Sequence, residues 1–240
     1  MAGYQWAESF LKRNPVISLG MPEGTSGARA MGFNQPAVNK FLELLTKSID
    51  ENNITPNSIY NVDETGISSV PKKVSKVIAK RGKKQVGTLT SAEQGKIITI
   101  EMCMSASGIY VPPLIIFPCV RAPKNVNIIE KAPPGTIASY HPSGWMQTDI
   151  FLKWFDHFLS FVMPSKKRPL LLLLDGHATH TKNIEFIMKA RENYVTVICF
   201  PPHCSHCLQP LDVSFTIWHH LAATIRTKFV FGCVHIILEL

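Results

Sequence analysis

Leu170-Leu171-Leu172-Leu173-Leu174-Asp175-Gly176-His177-Ala178-Thr179-His180 is the stretch on which the rest of the chain depends. Five leucines entered from Pro169 show no polar alternation, which is the pattern of a strand buried on both faces. A carboxylate follows abruptly. Asp175-Gly176 marks the point where the backbone leaves the strand and side chains project into the crevice that open α/β sheets use for chemistry. An ionised Asp beside so apolar a strand needs compensation, and a divalent cation is the strongest candidate.

Working outward, 183–193 has helical periodicity and Tyr194–Phe200 is β-branched and apolar, so the order strand, helix, strand predicts parallel neighbours and a right-handed crossover. Pro201-Pro202 breaks that strand. A loop from His203 to Pro210 leads to Leu211-Asp212, with a helix expected over 213–227. Upstream, Thr148-Asp149 reads as an N-cap for a helix carrying Phe151, Trp154, Phe155, Phe158, Leu159 and Val162 on one face, ended by Pro164. Residues 118–148 contain five prolines and read as a long surface loop. Before it, 96–105 and 109–117 are strand-like and joined by Ala106-Ser107-Gly108, a turn of hairpin length. Ser58–Val62 reads as a further strand, closed by Asp63-Glu64-Thr65-Gly66 much as Leu174 is followed by Asp175-Gly176. A helix opened by Asn34-Gln35-Pro36 runs to Asn52-Asn53, and a short amphipathic piece spans Trp6–Lys12.

The carboxylates that follow strand or turn signals are Asp63, Asp175 and Asp212. Three antiparallel strands followed by a parallel βαβ unit, with acids at these points, is the arrangement of a ribonuclease H-like α/β fold: a mixed central sheet flanked by helices. Such a fold brings the three acids together. Carboxylates about 4 Å apart repel by roughly 4 kcal/mol at an effective dielectric near 20, so the cluster calls for Mg²⁺ or Mn²⁺. Two such ions suit an in-line displacement at phosphorus.

The charge pattern points the same way. The chain has 240 residues, a net charge of +8 and 45% apolar content, enough for a large core and suited to a polyanionic partner. Between Lys72 and Lys84 seven of thirteen residues are basic (Lys72, Lys73, Lys76, Lys80, Arg81, Lys83 and Lys84) and none is acidic. A protected edge hairpin and a ridge contacting DNA phosphates both fit this run. The six cysteines are scattered through apolar runs and suggest a reducing compartment. No secretory h-region is visible, and 229–238 is too short and interrupted to span a membrane. Cys204 and Cys207 form one CxxC flanked by His203 and His206, but a structural zinc normally needs a second pair.

Asn61-Val62-Asp63-Glu64-Thr65-Gly66, Leu174-Asp175-Gly176-His177 with His180, and Pro201-Pro202-His203 with Ser205-His206 running into Leu208-Gln209-Pro210-Leu211-Asp212 resemble the signature blocks of DDE-superfamily endonucleases. More narrowly the chain resembles transposases of the pogo, Tigger and jerky group, related to centromere protein B. Ile78–Val86 and Ser143-Gly144-Trp145-Met146 are similar as well. The resemblance implies metal-dependent cleavage of DNA and strand transfer, in the nucleus, with room for a homo-oligomer on DNA. By position, Asp63, Asp175 and Asp212 would be the ligands of two Mg²⁺ or Mn²⁺ ions. Glu64, on the opposite face of its strand from Asp63, would support them from behind. His177, His180, His203 and His206 would border the site. It also implies the remnant of a helix-turn-helix DNA-binding domain and linker in 1–33, a catalytic domain in 34–228 and a divergent tail in 229–240, as in a truncated copy. A domesticated, non-catalytic nuclear DNA-binding or chromatin protein is the alternative.

Overall fold

The computed structural model describes residues 3–18, 32–68, 96–122, 129–130 and 132–213. Helices α1 (Tyr4–Arg13) and α2 (Gln35–Asn52) come first, then strands β1 (Ile59–Ser68), β2 (Ile97–Ser105), β3 (Tyr110–Phe117) and β4 (Ile137–Tyr140). Helix α3 (Thr148–Val162), strand β5 (Leu170–Leu174), helices α4 (Ala178–Thr181) and α5 (Ile184–Glu192), strand β6 (Val195–Cys199), and short helices α6 (Ser205–Leu208) and α7 (Pro210–Val213) complete the described chain. The six strands form one sheet in the order β4-β3-β2-β1-β5-β6.

β1 to β3 are antiparallel, and β5 pairs in parallel with both β1 and β6. The leucine strand is buried throughout. Leu170, Leu172 and Leu174 pack with the aromatic face of α3 and with Phe186 of α5. Leu171 and Leu173 pack on the other side with Phe41 of α2 and Phe200. That two-sided burial is why the strand shows no alternation. Phe151, Trp154, Phe155 and Phe158 of α3 are fully buried, and each removes enough apolar surface to favour folding by about 2–3 kcal/mol.

Several boundaries differ from the sequence expectation. β1 does not close at Asp63: β2 pairs with it from Tyr60 to Ser68, so Asp63-Glu64-Thr65-Gly66 lies inside the strand. The 118–148 segment is not all loop, since Ile137–Tyr140 adds β4 in parallel beside β3. Four residues between Pro-Pro-Gly and His-Pro are too few to show a period. Thr148 is the first residue of α3 rather than its cap, which is Gln147, without a side-chain hydrogen bond. Asn34 and Asn183 do cap their helices, accepting from Ala37 and Phe186. The register of β2 on β3 shifts between Glu101 and Cys103. Opposite lie Pro112 and Pro113, which have no N–H to donate, and this is the ordinary reason for a bulge. No described helix is long and apolar enough to cross a membrane. The basic run 72–84 and the helix expected over 213–227 lie, apart from Val213, outside the described residues.

Candidate active site

The step between β1 and β5 creates the site. β5 pairs with β1 only as far as Asn61 opposite Leu173. Continuing that register sets Asp63, still within β1, level with Asp175, which has just left β5. β1 thus carries its acid past the end of its parallel neighbour, into the crevice where such sheets place their chemistry.

One residue of the Asn61–Gly66 block, to which sequence alone assigns no role, ties the three acid-bearing segments together. The buried side chain of Asn61 donates to the carbonyls of Val62 and Leu173, at 3.2 and 3.1 Å, and accepts from the Leu211 amide at 3.0 Å. It therefore joins β1, β5 and α7, whose Asp212 follows Leu211 directly. Its presence two residues before Asp63, on the same strand face, was the available signal. An Asn buried in a strand must satisfy both ends of its amide, and here it does so by cross-linking segments far apart in sequence.

Asp175 is wired to its surroundings. Its Oδ1 accepts from the His177 amide at 3.0 Å and lies 3.1 Å from Nδ1 of His180. His180 is only 4% exposed, with its ring against Phe151 at a centroid distance of 4.1 Å. Its Nε2 stands 3.6 Å from Oε1 of Glu64. Glu64 is on the opposite face of β1 from Asp63, as alternation requires, and reaches Asp175 through this histidine. Burial alone would raise the Asp175 carboxyl, but the His180 and His177 contacts bring it below the usual carboxylate value. Burial would likewise lower His180, yet Asp175 and then Glu64 raise it to about 9.

Asp63 has the opposite environment. Burial first, and the charge of Asp212 second, push its carboxyl up to about 8, with Asp175 adding a smaller push. Gln209, itself buried, faces it and offsets part of the rise, although its amide makes no well-formed hydrogen bond. Asp212 is exposed on α7. Behind Asp63, Glu101 of β2 sits directly across from Glu64 in the register and is completely buried. Neither of its carboxyl oxygens has a hydrogen-bond partner among the described residues. Burial, then the charges of Glu64, Asp63 and Asp175, hold it well above the ordinary carboxylate value. The sequence reading passed over Glu101 because it falls within an apolar run.

These groups surround a pocket of about 390 Å³ lined by Asp63, Glu64, Glu101, Asp175, His177 and His180, with Val62, Trp145 and Met146 as its apolar part. His177 is exposed at the rim, its Nδ1 2.8 Å from the Thr179 hydroxyl. His203 and His206, expected to border the acids, take their contacts elsewhere: His203 packs against Gly32, and His206 meets the Phe33 ring edge-on. The phenylalanine and glycine of the preceding linker return to this loop, which no local pattern announces. Cys204 is buried there too, its Sγ 3.3 Å from the Gly32 carbonyl. Among the described residues no three His, Cys, Asp or Glu side chains are drawn together as a metal-ligand set. The donor chemistry nevertheless suits a hard divalent ion, because Asp63, Asp175 and Asp212 offer carboxylate oxygens and the charges of Asp212 and Asp175 both weigh on Asp63.

Residues 95–232 match the family described as DDE superfamily endonuclease. The chain belongs to this family. The matched stretch contains Asp175 and Asp212 and begins after Asp63. The DDE domain is distantly related to the Jerky protein of Mus musculus, with 24% identity over 226 residues, 86% of this chain and 36% of that protein. It is 26% identical over 165 residues to a Cochliobolus lunatus protein named MFS-type transporter clz9, covering 67% of this chain and 17% of that one. Among solved structures it resembles a pre-cleavage Mos1 transpososome, with a TM-score of 0.52 and 13% identity over 96% of this chain and 66% of the other. It also resembles the Mos1 transposase in a paired-end complex with the left transposon end, with a TM-score of 0.50 and 15% identity over 90% of this chain and 56% of the other. At those identities the likeness establishes the fold, the ribonuclease H-like catalytic fold of transposases. The DDE domain spans well under half the length of the two curated relatives.

Proposed function

We propose that this chain is a DNA transposase or endonuclease domain that cleaves phosphodiester bonds and transfers strands through Asp63, Asp175 and Asp212, in the nucleus, as a homo-oligomer on DNA. The observation that supports this reading is geometric: the β1–β5 register brings Asp63 level with Asp175, and the Asn61 side chain ties the Leu211 amide, next to Asp212, to the same step. The three aspartates would hold two Mg²⁺ or Mn²⁺ ions. Held there, such ions would supply Lewis-acid activation of the attacking oxygen and charge stabilisation of the leaving oxygen in an in-line displacement. The protein's own groups prepare for this. His180 and the His177 amide keep Asp175 ionised and aimed, Asn61 holds α7 so that Asp212 stays beside Asp63, and Asp63 gives up its proton when a cation arrives. His177, exposed at the rim, is placed to meet a phosphate. The Lys72–Lys84 run would add contacts to the DNA backbone.

The test is nicking of supercoiled plasmid by the purified chain in Mn²⁺, with Asp175→Asn as the comparison. Mn²⁺-dependent nicking that Asp175→Asn abolishes is the expected result; nicking that survives the substitution would sink the assigned site. A non-catalytic nuclear DNA-binding protein is the second reading, favoured by one observation: the three aspartates are not gathered into a ligand set. Salt-sensitive DNA binding by a folded preparation that never nicks would decide for it.

A further inference from the structure

The pocket has one open apolar group at its mouth. Trp145 is 50% exposed, while the other two apolar lining residues, Val62 and Met146, are buried. A large aromatic left half in water beside a cluster of acids needs a reason, since burying it would favour folding.

The turn that carries it is built to hold it there. Gly144 has φ +71°, and a Cβ on it would come within 2.1 Å of the Ile97 carbonyl oxygen, so no other residue fits. The Gly144 amide donates to the His141 carbonyl at 2.9 Å. The Ser143 hydroxyl lies 2.7 Å from Nδ1 of His141 and accepts from the Trp145 amide at 3.2 Å. Met146, the next residue, is buried in the core beside α3. The backbone that carries the indole is therefore fixed on both sides of Trp145. Its outer edge rests beside Gly66 of β1, with two ring atoms 4.0 Å from where a Cβ would stand. The absence of a side chain at Gly66 leaves that edge of the strand low, three residues beyond Asp63. Lys96, exposed, directly precedes the Ile97 against whose carbonyl the turn packs.

We propose that Trp145 is a stacking platform for a nucleobase of the DNA strand whose phosphate enters the acidic pocket. This rests on the reading of the domain as a DNA-processing site and names a binding group within it. The chemistry is specific to that ligand class. A half-exposed indole offers a π-face to any base without sequence preference, exposed Lys96, next in sequence to Ile97, offers a cation to the backbone, and the acids accept the phosphate only with metal. Because the turn already fixes the backbone at Trp145, and an indole has only two side-chain torsions, little freedom is lost when a base stacks on it. The contact would set where along the strand the scissile phosphate falls.

The experiment is a fluorescence titration of the full chain, in buffer with Ca²⁺ in place of Mg²⁺ or Mn²⁺, with short single-stranded oligonucleotides carrying one 2-aminopurine. Wild-type protein is expected to quench the 2-aminopurine at one position. Trp145→Phe should keep most of the quenching, whereas Trp145→Leu and Trp145→Ala should lose it and bind about tenfold more weakly. Thermal melting of Trp145→Phe and Trp145→Leu should show a cooperative transition within a few degrees of wild type, because half of the removed surface is already exposed. Replacing the quenched base by an abasic site should erase the difference between wild type and Trp145→Leu. Unchanged affinity and quenching in Trp145→Leu, or no quenching by the wild-type protein at any position, overturns the proposal. Its failure is separable from that of the catalytic reading. Quenching that persists in a protein that never nicks leaves the platform and removes the chemistry, while nicking that Asp175→Asn abolishes in a protein without quenching does the reverse.

Discussion

Asp63, inside β1, and Asp175, just past the end of β5, stand level, yet their surroundings could hardly differ more. Asp175 accepts from the His177 amide and is paired with a buried His180, which also reaches Glu64. Its charge is satisfied in advance. Asp63 meets burial and the charge of Asp212, with only Gln209 and a backbone amide as relief, and carries a raised carboxyl. One half of the site is preassembled and the other awaits a counter-charge. Two identical side chains are thus given different states by what surrounds them, a familiar way for proteins to divide roles between carboxylates.

Substitution is the strongest way to break the comparison. Asp63→Asn and Asp175→Asn should each reduce Mn²⁺-dependent nicking by about a thousandfold or more, since each removes a ligand from the proposed metal site. In metal-free buffer at pH 8 they should part company: calorimetry should find Asp63→Asn more stable than wild type and Asp175→Asn less stable.

The same contrast has a pH signature. Asp63, with its carboxyl raised to about 8, contributes fully to stability below the unfolded value of 3.8 and loses that contribution as the pH rises through 8. His180, raised to about 9, contributes fully below 6.5 and loses its share as the pH passes 9. Asp175 is lowered, so its contribution is present above 3.8 and fades only in stronger acid. The metal-free protein should therefore lose several degrees of Tm between pH 5 and pH 8. Mg²⁺ should raise Tm more at pH 8 than at pH 5. A flat profile with no such difference would contradict the assignment of Asp63 as the unsatisfied acid.

Asn61→Ala removes the cross-link and leaves the Leu211 amide and the Leu173 carbonyl without their side-chain partner. The expected cost is about 2–3 kcal/mol, read by urea denaturation. Metal affinity should fall with it, because α7 would no longer be held against β1. The smallest effect concerns Glu101, an acid buried without partners. Glu101→Leu should stabilise the fold by about 1–2 kcal/mol, since an apolar side chain of similar size removes an unpaired polar group from the sheet. A loss of stability would mean that Glu101 has a partner beyond the described residues.

Much of this architecture was legible in the sequence. The unalternating Leu170–Leu174 run predicts a two-sided buried strand, the period of Phe151–Val162 predicts a helix laid on it, and the order of elements predicts the mixed sheet. These are local patterns governed by burial and hydrogen-bonding period, so they survive without tertiary information. Strand β4 was invisible because Ile137–Tyr140 is too short to show a period and is paired only by its neighbour. The true end of β1 was hidden because Asp63-Glu64-Thr65-Gly66 looks like a turn until β2 is present to pair with it.

The site divides along the same line. Residue order and type determined that three aspartates follow strand-like or turn signals, and that His177 and His180 sit close behind Asp175. Which histidine does what was decided by packing: His180 turns inward under Phe151 to join Asp175 and Glu64, while His203 and His206 turn toward Gly32 and Phe33. The clamp of Asn61, the orphaned acid at Glu101 and the open indole of Trp145 were decided there as well. A sequence records a side chain's chemistry and its distance along the chain, whereas a hydrogen bond across 150 residues, or the charge state of a carboxyl, depends on what the fold sets beside it.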